Sequence, residues 1–350
     1  MKILMLVNWK VEKYNIKPTN KLSADYILDN EKYWFFKYIS VVDKVDIIDI
    51  SSPKFISFFE KKLHFYFWQG FKALFRYKKY DMVICHGMPS AILFSFFKKL
   101  FKLKTKLIVF DIGCFNSGIE KGIKFKMMKY PSKSIDGLIY HASFQLDYYK
   151  RNFPWIVDKS KFVLFGADYN YFNNIKYTNN YKNEYGKYML CIGPRDLKTL
   201  IPAYLKSNVE TKLLICGAKE KIEVDNKNII YIDKVPIDYL SFLIKESEFG
   251  VLPLLPLKFS YGQMTLLQQM ALGKCVITSD VSCVSDYVKN NETALVCKSQ
   301  DIESLSKTII FACEHKNEIT QIGNNAKIYV KDDYNEISMA HVVGDFIINI

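Results

Sequence analysis

The sequence lacks any long uninterrupted run of apolar residues. No stretch of about 18 uncharged apolar residues occurs in the 350-residue chain, so we predict no membrane-spanning helix. Residues 1–10 have too short an apolar core and no small-residue cleavage site, so we do not expect secretion. With 49% hydrophobic and 24% charged residues, the composition is that of a globular protein, and the length suggests two domains.

The sequence also lacks paired cysteines. None of its eight cysteines forms a CxxC pair, and none clusters with histidines as a structural zinc site requires. Several of them, such as Cys85, Cys191 and Cys216, lie within apolar runs. We therefore interpret the cysteines as small core residues in a reducing compartment, and we expect no metal site.

Acidic residues are scarce in one part of the chain. Residues 1–170 contain 29 Lys+Arg and 15 Asp+Glu, whereas residues 171–350 contain 20 and 21. Residues 51–106 are the most basic, with 12 against 2, and are rich in aromatic side chains. This mixture suits an anionic membrane surface, although the same helices could instead pack their rings on a sheet and leave the lysines in water. A nucleic-acid partner is not expected, because no recognisable binding module is present.

Short apolar strands alternate with segments long enough for a helix. This order predicts an α/β fold with two doubly wound parallel sheets. The predicted strands are 2–7, 45–50, 81–86, 106–111, 137–142 and 161–165, then 188–192, 212–216, 229–232, 249–252, 275–278 and 294–297. The predicted helices of the second half are 197–206, 237–246, 265–272, 284–289, 302–314 and 317–329.

Residues 170–188 interrupt the alternation, because they are rich in Asn, Tyr and Lys and nearly free of aliphatic residues. We therefore predict a first domain over 1–171, a linker over 172–186 and a second domain over 187–334. Residues 335–350 are predicted to form a helix that packs back on the first domain. Such an arrangement sets the carboxyl ends of two parallel sheets facing each other across a cleft, where ligands are expected.

A glycine turn follows the strand 188–192 and precedes a helix. Gly193 permits a sharp bend, and Arg195 and Lys198 then lie beside a helix start. A forked guanidinium, a compact ammonium and free N–H groups suit a diphosphate. The alternative is that Asp196 merely caps the helix and both cations are solvated.

A second segment, residues 259–278, has the same strand–turn–helix form. Gly262 lets a ligand approach the backbone, and the N–H groups around Gln263–Leu266 favour an anion. The residues that we assign to ligand binding here are Ser260, Tyr261, Gly262, Gln263, Met264, Thr265 and Gln268. The alternative is an ordinary buried helix.

On these motifs the second domain resembles the donor-binding half of GT-B glycosyltransferases, especially the retaining family-four type. Gly193-Pro-Arg-Asp-Leu-Lys198 resembles the family's phosphate turn, and residues 268–276 resemble the end of its Glu-x7-Glu motif. Residues 162–172 resemble its domain junction, and residues 230–240, with Val235, resemble the loop that meets the nucleobase. The two family glutamates fall on Ser260 and Gln268, which carry no carboxylate.

The resemblance implies a GT-B fold and transfer of a sugar from a nucleotide diphosphate-sugar to an acceptor hydroxyl, with retention of configuration. Arg195 and Lys198 would neutralise the leaving diphosphate, so neither a metal nor a further cofactor is implied. His86 and Asp111, near strand ends of the first domain, are the catalytic candidates on the acceptor side.

The acceptor is expected to be a glycan or a lipid-linked glycan of a surface polysaccharide, capsule or lipopolysaccharide. This implies a cytoplasmic enzyme, peripheral at the inner face of the cell membrane. Two alternatives stay open: a non-catalytic GT-B-like partner subunit, indicated by Ser260 and Gln268, and a sugar-nucleotide epimerase or phosphorylase.

Overall fold

The computed structural model of the chain describes residues 1–113, 115, 118–177 and 181–350. The strands are β1 (Lys2–Leu6), β2 (Glu12–Tyr14), β3 (Tyr26–Leu28), β4 (Lys44–Ile48), β5 (Met82–His86), β6 (Lys106–Asp111), β7 (Gly137–Tyr140), β8 (Ser160–Phe162), β9 (Tyr188–Ile192), β10 (Lys212–Cys216), β11 (Ile229–Ile232), β12 (Phe249–Leu252), β13 (Val276–Ser279) and β14 (Leu295–Cys297).

The helices of the described residues follow the same chain order. They are α1 (Lys54–Leu63), α2 (Phe67–Arg76), α3 (Met88–Phe101), α4 (Ile123–Ser132), α5 (Gln145–Asn152), α6 (Pro154–Val157), α7 (Tyr169–Asn174), α8 (Leu197–Ser207), α9 (Ile237–Glu246), α10 (Gln263–Ala271), α11 (Ile302–Glu314), α12 (Lys316–Asp332) and α13 (Glu336–Ile348).

Two six-stranded parallel sheets form the framework. Their orders are β4-β1-β5-β6-β7-β8 and β11-β10-β9-β12-β13-β14, so strand order reverses beside the first strand of each sheet. This confirms the predicted α/β class with two doubly wound sheets, because continuous apolar strands buried on both faces need helices on both sides. A small parallel pair, β2 with β3, was not predicted, since three residues are too short to show a strand pattern.

The first sheet is covered differently on its two faces. On one face, helices α2 to α5 bury a cluster that includes Val83 and Val109. On the other face, Ile3 and Met5 pack against Val343 and Ile347 of α13. The last helix of the chain therefore completes the core of the domain that contains the first strand.

The chain passes between the domains at two points, and these two points are hydrogen-bonded to each other. Ala167 N–H donates to the Tyr334 carbonyl at 2.8 Å, and Glu336 N–H donates to the Ala167 carbonyl at 3.0 Å. A Cβ at Gly166 would lie only 2.2 Å from the Asn335 carbonyl oxygen, so the backbones touch there. The crossings thus form one joined connection rather than two independent links.

The structure departs from two local predictions. Residues 284–289 were predicted to be helical, but Tyr287 N–H bonds the Val284 carbonyl three residues back, so the segment is a series of turns. The predicted linker, residues 172–186, starts within α7 rather than after a domain end. Its residues Tyr177, Tyr181 and Tyr185 pack on the core of the second domain. Within that predicted linker, residues 178–180 lie outside the described residues.

The described cysteines are all free thiols, and those of the strands belong to the core. Six are buried, namely Cys85, Cys191, Cys216, Cys275, Cys283 and Cys297, whereas Cys313 is half-buried and Cys114 lies outside the described residues. Across the described ranges, no helix is both long and apolar enough to cross a bilayer, and no three His, Cys, Asp or Glu residues lie together as metal ligands.

Candidate functional site

The glycine turn lies at the carboxyl end of β9, the first strand of the second sheet. Gly193 has φ +78°, a left-handed conformation that favours glycine, and its N–H donates to the Cys216 carbonyl at 2.7 Å. The next helix, α8, is capped by Asp196, whose carboxylate accepts from Thr199 N–H and from the Thr199 hydroxyl. The turn therefore holds Arg195 and Lys198 on either side of a firmly capped helix start.

Arg195 is anchored on two sides. Its Nη1 donates to the Pro194 carbonyl at 2.7 Å, and its Nη2 donates to Thr265 Oγ1 at 2.9 Å. Its Nε is buried without a hydrogen-bond partner among the described residues. Desolvation lowers the pKa of the guanidinium, which nevertheless remains charged at neutral pH. A desolvated cation with unused donors is suited to an anionic ligand.

Thr265 belongs to the first turn of α10, so the Arg195–Thr265 bond joins the two predicted phosphate-binding segments. Gly262 precedes this helix with φ +90°. The Tyr261 hydroxyl donates to the Leu255 carbonyl at 2.8 Å, and burial raises its pKa to about 12. Two helix starts and their turns are thereby held at the same sheet edge.

A cavity of about 910 Å³ opens at this edge, within the size range of ligand pockets. Its walls come from the turn after β9, the loop after β10 and the loop after β12. The lining residues are 194–199, 218–222, Leu255, Leu257, Phe259, Tyr261 and Gln300. Four of them are cations, Arg195, Lys198, Lys219 and Lys221, whereas the carboxylates are Glu220 and the helix-capping Asp196.

Several residues assigned to this site lie beside the cavity rather than on its walls. The Ser260 hydroxyl accepts a hydrogen bond from Gln263 Nε2, which also donates to the Cys283 carbonyl. Gln268 is buried one turn into α10, and Met264 is exposed. Val235 packs on the aromatic cluster near α9, in a different loop from those lining the cavity.

The two first-domain candidates do not line this cavity. His86, at the end of β5, packs edge-on against Trp9 with ring centroids 4.6 Å apart, and burial lowers its pKa to about 3. Asp111, at the end of β6, accepts from the Tyr149 hydroxyl and from Phe115 N–H. Burial raises the pKa of this carboxyl to about 6, despite these donors. Both side chains are enclosed in the first domain.

Residues 193–329 match the sequence profile of the family described as "Glycosyl transferases group 1". The chain also superposes over its full length on HepE of Anabaena in complex with UDP, with TM-score 0.68, 10% identity and all of both chains covered. The chain therefore has the GT-B fold, and its residues 193–329 are similar to this glycosyltransferase family.

Further similarities agree with this assignment. Sucrose-phosphate synthase of Thermosynechococcus elongatus matches this chain with TM-score 0.68 and 13% identity, covering 100% and 99% of the two chains. A protein of Methanocaldococcus jannaschii, described as an uncharacterized glycosyltransferase, is 24% identical over 298 residues, which are 77% of this chain and 75% of that protein.

Sequence reasoning missed three residues that line the cavity of the candidate site. Lys219 and Lys221 lie in the loop after β10. Because parallel strands end at the same sheet edge, the position of this loop after a predicted strand could have indicated both lysines. Phe259 lines the cavity and also packs against the core of the first domain.

The domain junction was also missed. The Tyr287 hydroxyl donates to the His141 carbonyl and accepts from Phe165 N–H at 3.0 Å. Asp286 accepts from Ser143 N–H at 2.7 Å. No local pattern predicts these contacts, because they join residues more than 120 positions apart.

Proposed function

We propose that this protein is a glycosyltransferase that binds a nucleotide diphosphate-sugar in the cavity beside Arg195 and transfers the sugar, with retention, to a hydroxyl of a glycan or lipid-linked acceptor. The observation that carries the proposal is the Arg195 side chain, which is desolvated and tied to Thr265 and Pro194 yet keeps unused donors. A guanidinium has five N–H groups. With two of them bonded to protein oxygens, one N–H on each terminal nitrogen remains for phosphate oxygens, and the buried Nε–H has no protein partner among the described residues.

The charge of the cavity supports the same step. As the bond from the sugar's anomeric carbon to the diphosphate breaks, both bonding electrons go to the phosphate oxygen. Negative charge therefore grows on the leaving group, and preorganised cations stabilise that charge more than they stabilise the intact donor. We place Arg195 and Lys198 in this task. As the new glycosidic bond forms, the acceptor hydroxyl gives its proton to the departing phosphate oxygen.

Lys198 provides a direct test of donor binding, because Lys206 on the same helix offers a matched control. Lys198 is exposed at the cavity, whereas Lys206 lies in the last turn of α8 and pairs with Glu303 outside it. A thermal-shift screen of UDP-, GDP-, ADP- and CMP-sugars should find one nucleotide class that stabilises the protein. A donor at 100 times its Kd adds about 2.7 kcal/mol of stability.

The same screen separates the two lysines. Lys198→Ala should weaken binding of that donor about tenfold or more, consistent with the loss of one charge-assisted contact of about 1.5–3 kcal/mol. Lys206→Ala should leave it unchanged. If Lys198→Ala and Lys206→Ala bind the donor equally well, the diphosphate does not contact Lys198 and its assignment to this end of the cavity is wrong.

A second candidate function is a GT-B-like partner subunit that binds a donor without turning it over. It is favoured by Ser260, whose hydroxyl is already bonded to Gln263, and by the buried carboxamide of Gln268. Neither residue offers a carboxylate. Release of UDP or another nucleotide from a bound donor, followed over time, distinguishes the two functions, and NMR of the sugar product tests retention.

We also propose that the enzyme acts in synthesis of a surface polysaccharide, capsule or lipopolysaccharide at the inner face of the cell membrane. Support comes from residues 51–106, whose excess of ten basic charges and many aromatic side chains suit contact with an anionic lipid surface. Co-sedimentation with vesicles of phosphatidylglycerol, compared with phosphatidylcholine alone, tests this contact independently of donor binding.

A further inference from the structure

Helices α1 to α4 expose an unusual number of large apolar side chains. The aromatic face, as we call it, consists of the exposed residues Phe55, Phe58, Phe59, Phe71, Phe75, Phe96, Leu100, Phe101, Ile123 and Tyr130. Phe55 is 75% exposed, Phe75 76% and Ile123 79%. Exposed apolar side chains that recur along neighbouring elements mark interaction sites, whereas scattered single ones do not.

The rings of the aromatic face contact one another along each helix. Phe55 and Phe59 of α1 have ring centroids 5.0 Å apart, and Phe71 and Phe75 of α2 are 4.9 Å apart. Spacings of four residues place each pair on one side of its helix. The pairs are therefore ordered apolar ridges that point away from the sheet.

Positive charge predominates in residues 51–106, the segment that contributes most of this face. All twelve basic residues of 51–106 are exposed except Lys72 and Lys98. The two acidic residues of that segment are engaged elsewhere. Glu60 is buried and accepts from Trp68 N–H, and Asp81 accepts from Lys2 N–H at the amino end of the sheet. The surface consequently attracts an anionic partner and repels a second copy of itself.

A small cavity adjoins the aromatic face at α4. This lysine pocket, of about 380 Å³, is lined by Lys126, Lys129, Tyr130, Lys133 and Trp155. Its lysines have no carboxylate partner among the described residues; Lys133 Nζ instead lies 5.1 Å from the centroid of the Trp155 ring. Three ammonium groups around two aromatic walls match a phosphate carried on an organic group.

The lysine pocket and the aromatic face are continuous. Tyr130 belongs to both, and its ring lies 5.8 Å from that of Phe96. An anionic phospholipid is a ligand that can satisfy both features at once, because its phosphate is joined to acyl chains. Apolar side chains enter the boundary of head groups and chains while basic ones stay at the phosphate level.

We propose that the lysine pocket binds the phosphate of an anionic phospholipid while the aromatic face inserts into the lipid boundary. This inference rests on the membrane contact included in the proposed function and names its partner. Nucleic acid is a weaker match, since Leu100 and Ile123 have no ring on which a base could stack.

The test uses the full chain in flotation with vesicles of phosphatidylcholine alone or mixed with phosphatidylglycerol. Three lysines are removed together, as Lys126→Gln, Lys129→Gln and Lys133→Gln. The matched control removes three exposed lysines outside the first domain, as Lys182→Gln, Lys187→Gln and Lys227→Gln. A lysine at an anionic surface contributes ~1 kcal/mol, or about fivefold, so the pocket variant should bind on the order of 100-fold more weakly. The control should bind like the wild type.

Two further variants test the apolar contribution. Phe75→Ser and Phe101→Ser together should weaken flotation at least tenfold at high salt, where charge is screened. Ile328→Ser, an exposed apolar residue of the second domain, should have no effect. Soluble glycerol phosphate should compete weakly, since it lacks the acyl chains.

The outcomes separate the inference from the function on which it rests. If phosphatidylglycerol does not increase flotation of the wild-type protein, the membrane contact and the inference are both refuted. A donor-induced thermal shift would then still support the transferase function. Wild-type protein that floats while the pocket variant behaves like the lysine control overturns the inference alone. A dimer or a nucleic-acid complex that depends on the aromatic face also overturns it.

Discussion

Replacing Arg195 with alanine removes a desolvated cation from the wall of the proposed donor cavity. The side chain has three N–H groups that are not bonded to Pro194 or Thr265. One charge-assisted hydrogen bond contributes about 1.5–3 kcal/mol, which corresponds to about 10- to 150-fold in rate. Loss of a single preorganised donor to a developing anion lowers kcat by about 100- to 1,000-fold in well-studied enzymes. We therefore expect kcat for sugar transfer to fall about 100-fold in Arg195→Ala.

The assay is nucleotide release under saturating donor, with thermal unfolding measured in parallel. Arg195→Lys keeps the charge but loses the fork, so its kcat should lie between those of the wild type and the alanine variant. Thr265→Val removes only the bond to Nη2 and should lower kcat severalfold, because the guanidinium is less well oriented. A folded Arg195→Ala protein with kcat within threefold of wild type would refute the assignment of Arg195 to the leaving group.

Three further predictions concern stability. Gly262→Ala should lower the free energy of unfolding by about 1–2 kcal/mol, because a side chain at φ +90° is strained, and chemical denaturation measures this change. Tyr287→Phe should cost about 1–3 kcal/mol by leaving the Phe165 N–H and the His141 carbonyl without their partner; an unchanged Tm would contradict this role for the junction. Burial, reinforced by nearby negative charge, raises the pKa of Glu336 above its ordinary 4.5, so the folded state holds this proton more tightly than the unfolded state does. Ionisation of Glu336 therefore destabilises the fold as pH rises above 4.5. Between pH 5 and pH 8 the Tm of the wild type should fall relative to that of Glu336→Gln. Parallel plots of Tm against pH for the two proteins would contradict this expectation.

Most strands of the two sheets could be predicted because each is a short apolar run between polar loops. Strands such as 212–216 and 229–232 coincide with the structure residue for residue. The predicted helix at 284–289 was wrong, since six residues with a few apolar side chains fit a chain of turns as well as a helix. Tertiary contacts decide between them, and here Tyr287 is held by the first domain.

The candidate site was predictable where it depends on a strand end. A glycine and two cations after β9 indicated the position of an anion site, and the structure brings Arg195 and Lys198 to one cavity. The same rule located His86 and Asp111 at strand ends but said nothing of where their side chains point. Both are enclosed by neighbours that are distant in sequence, such as Trp9 beside His86 and Tyr149 beside Asp111.

The packing of α13 on the first sheet has a consequence for the way the protein is made. Ile3 and Met5 belong to a sheet face whose cover includes Val343 and Ile347, contributed by the last helix. The ribosome synthesises the amino-terminal strands first. This apolar face of the first sheet therefore stays exposed to solvent while more than three hundred further residues are added. The nascent amino-terminal half should therefore need protection against aggregation until the final helix emerges.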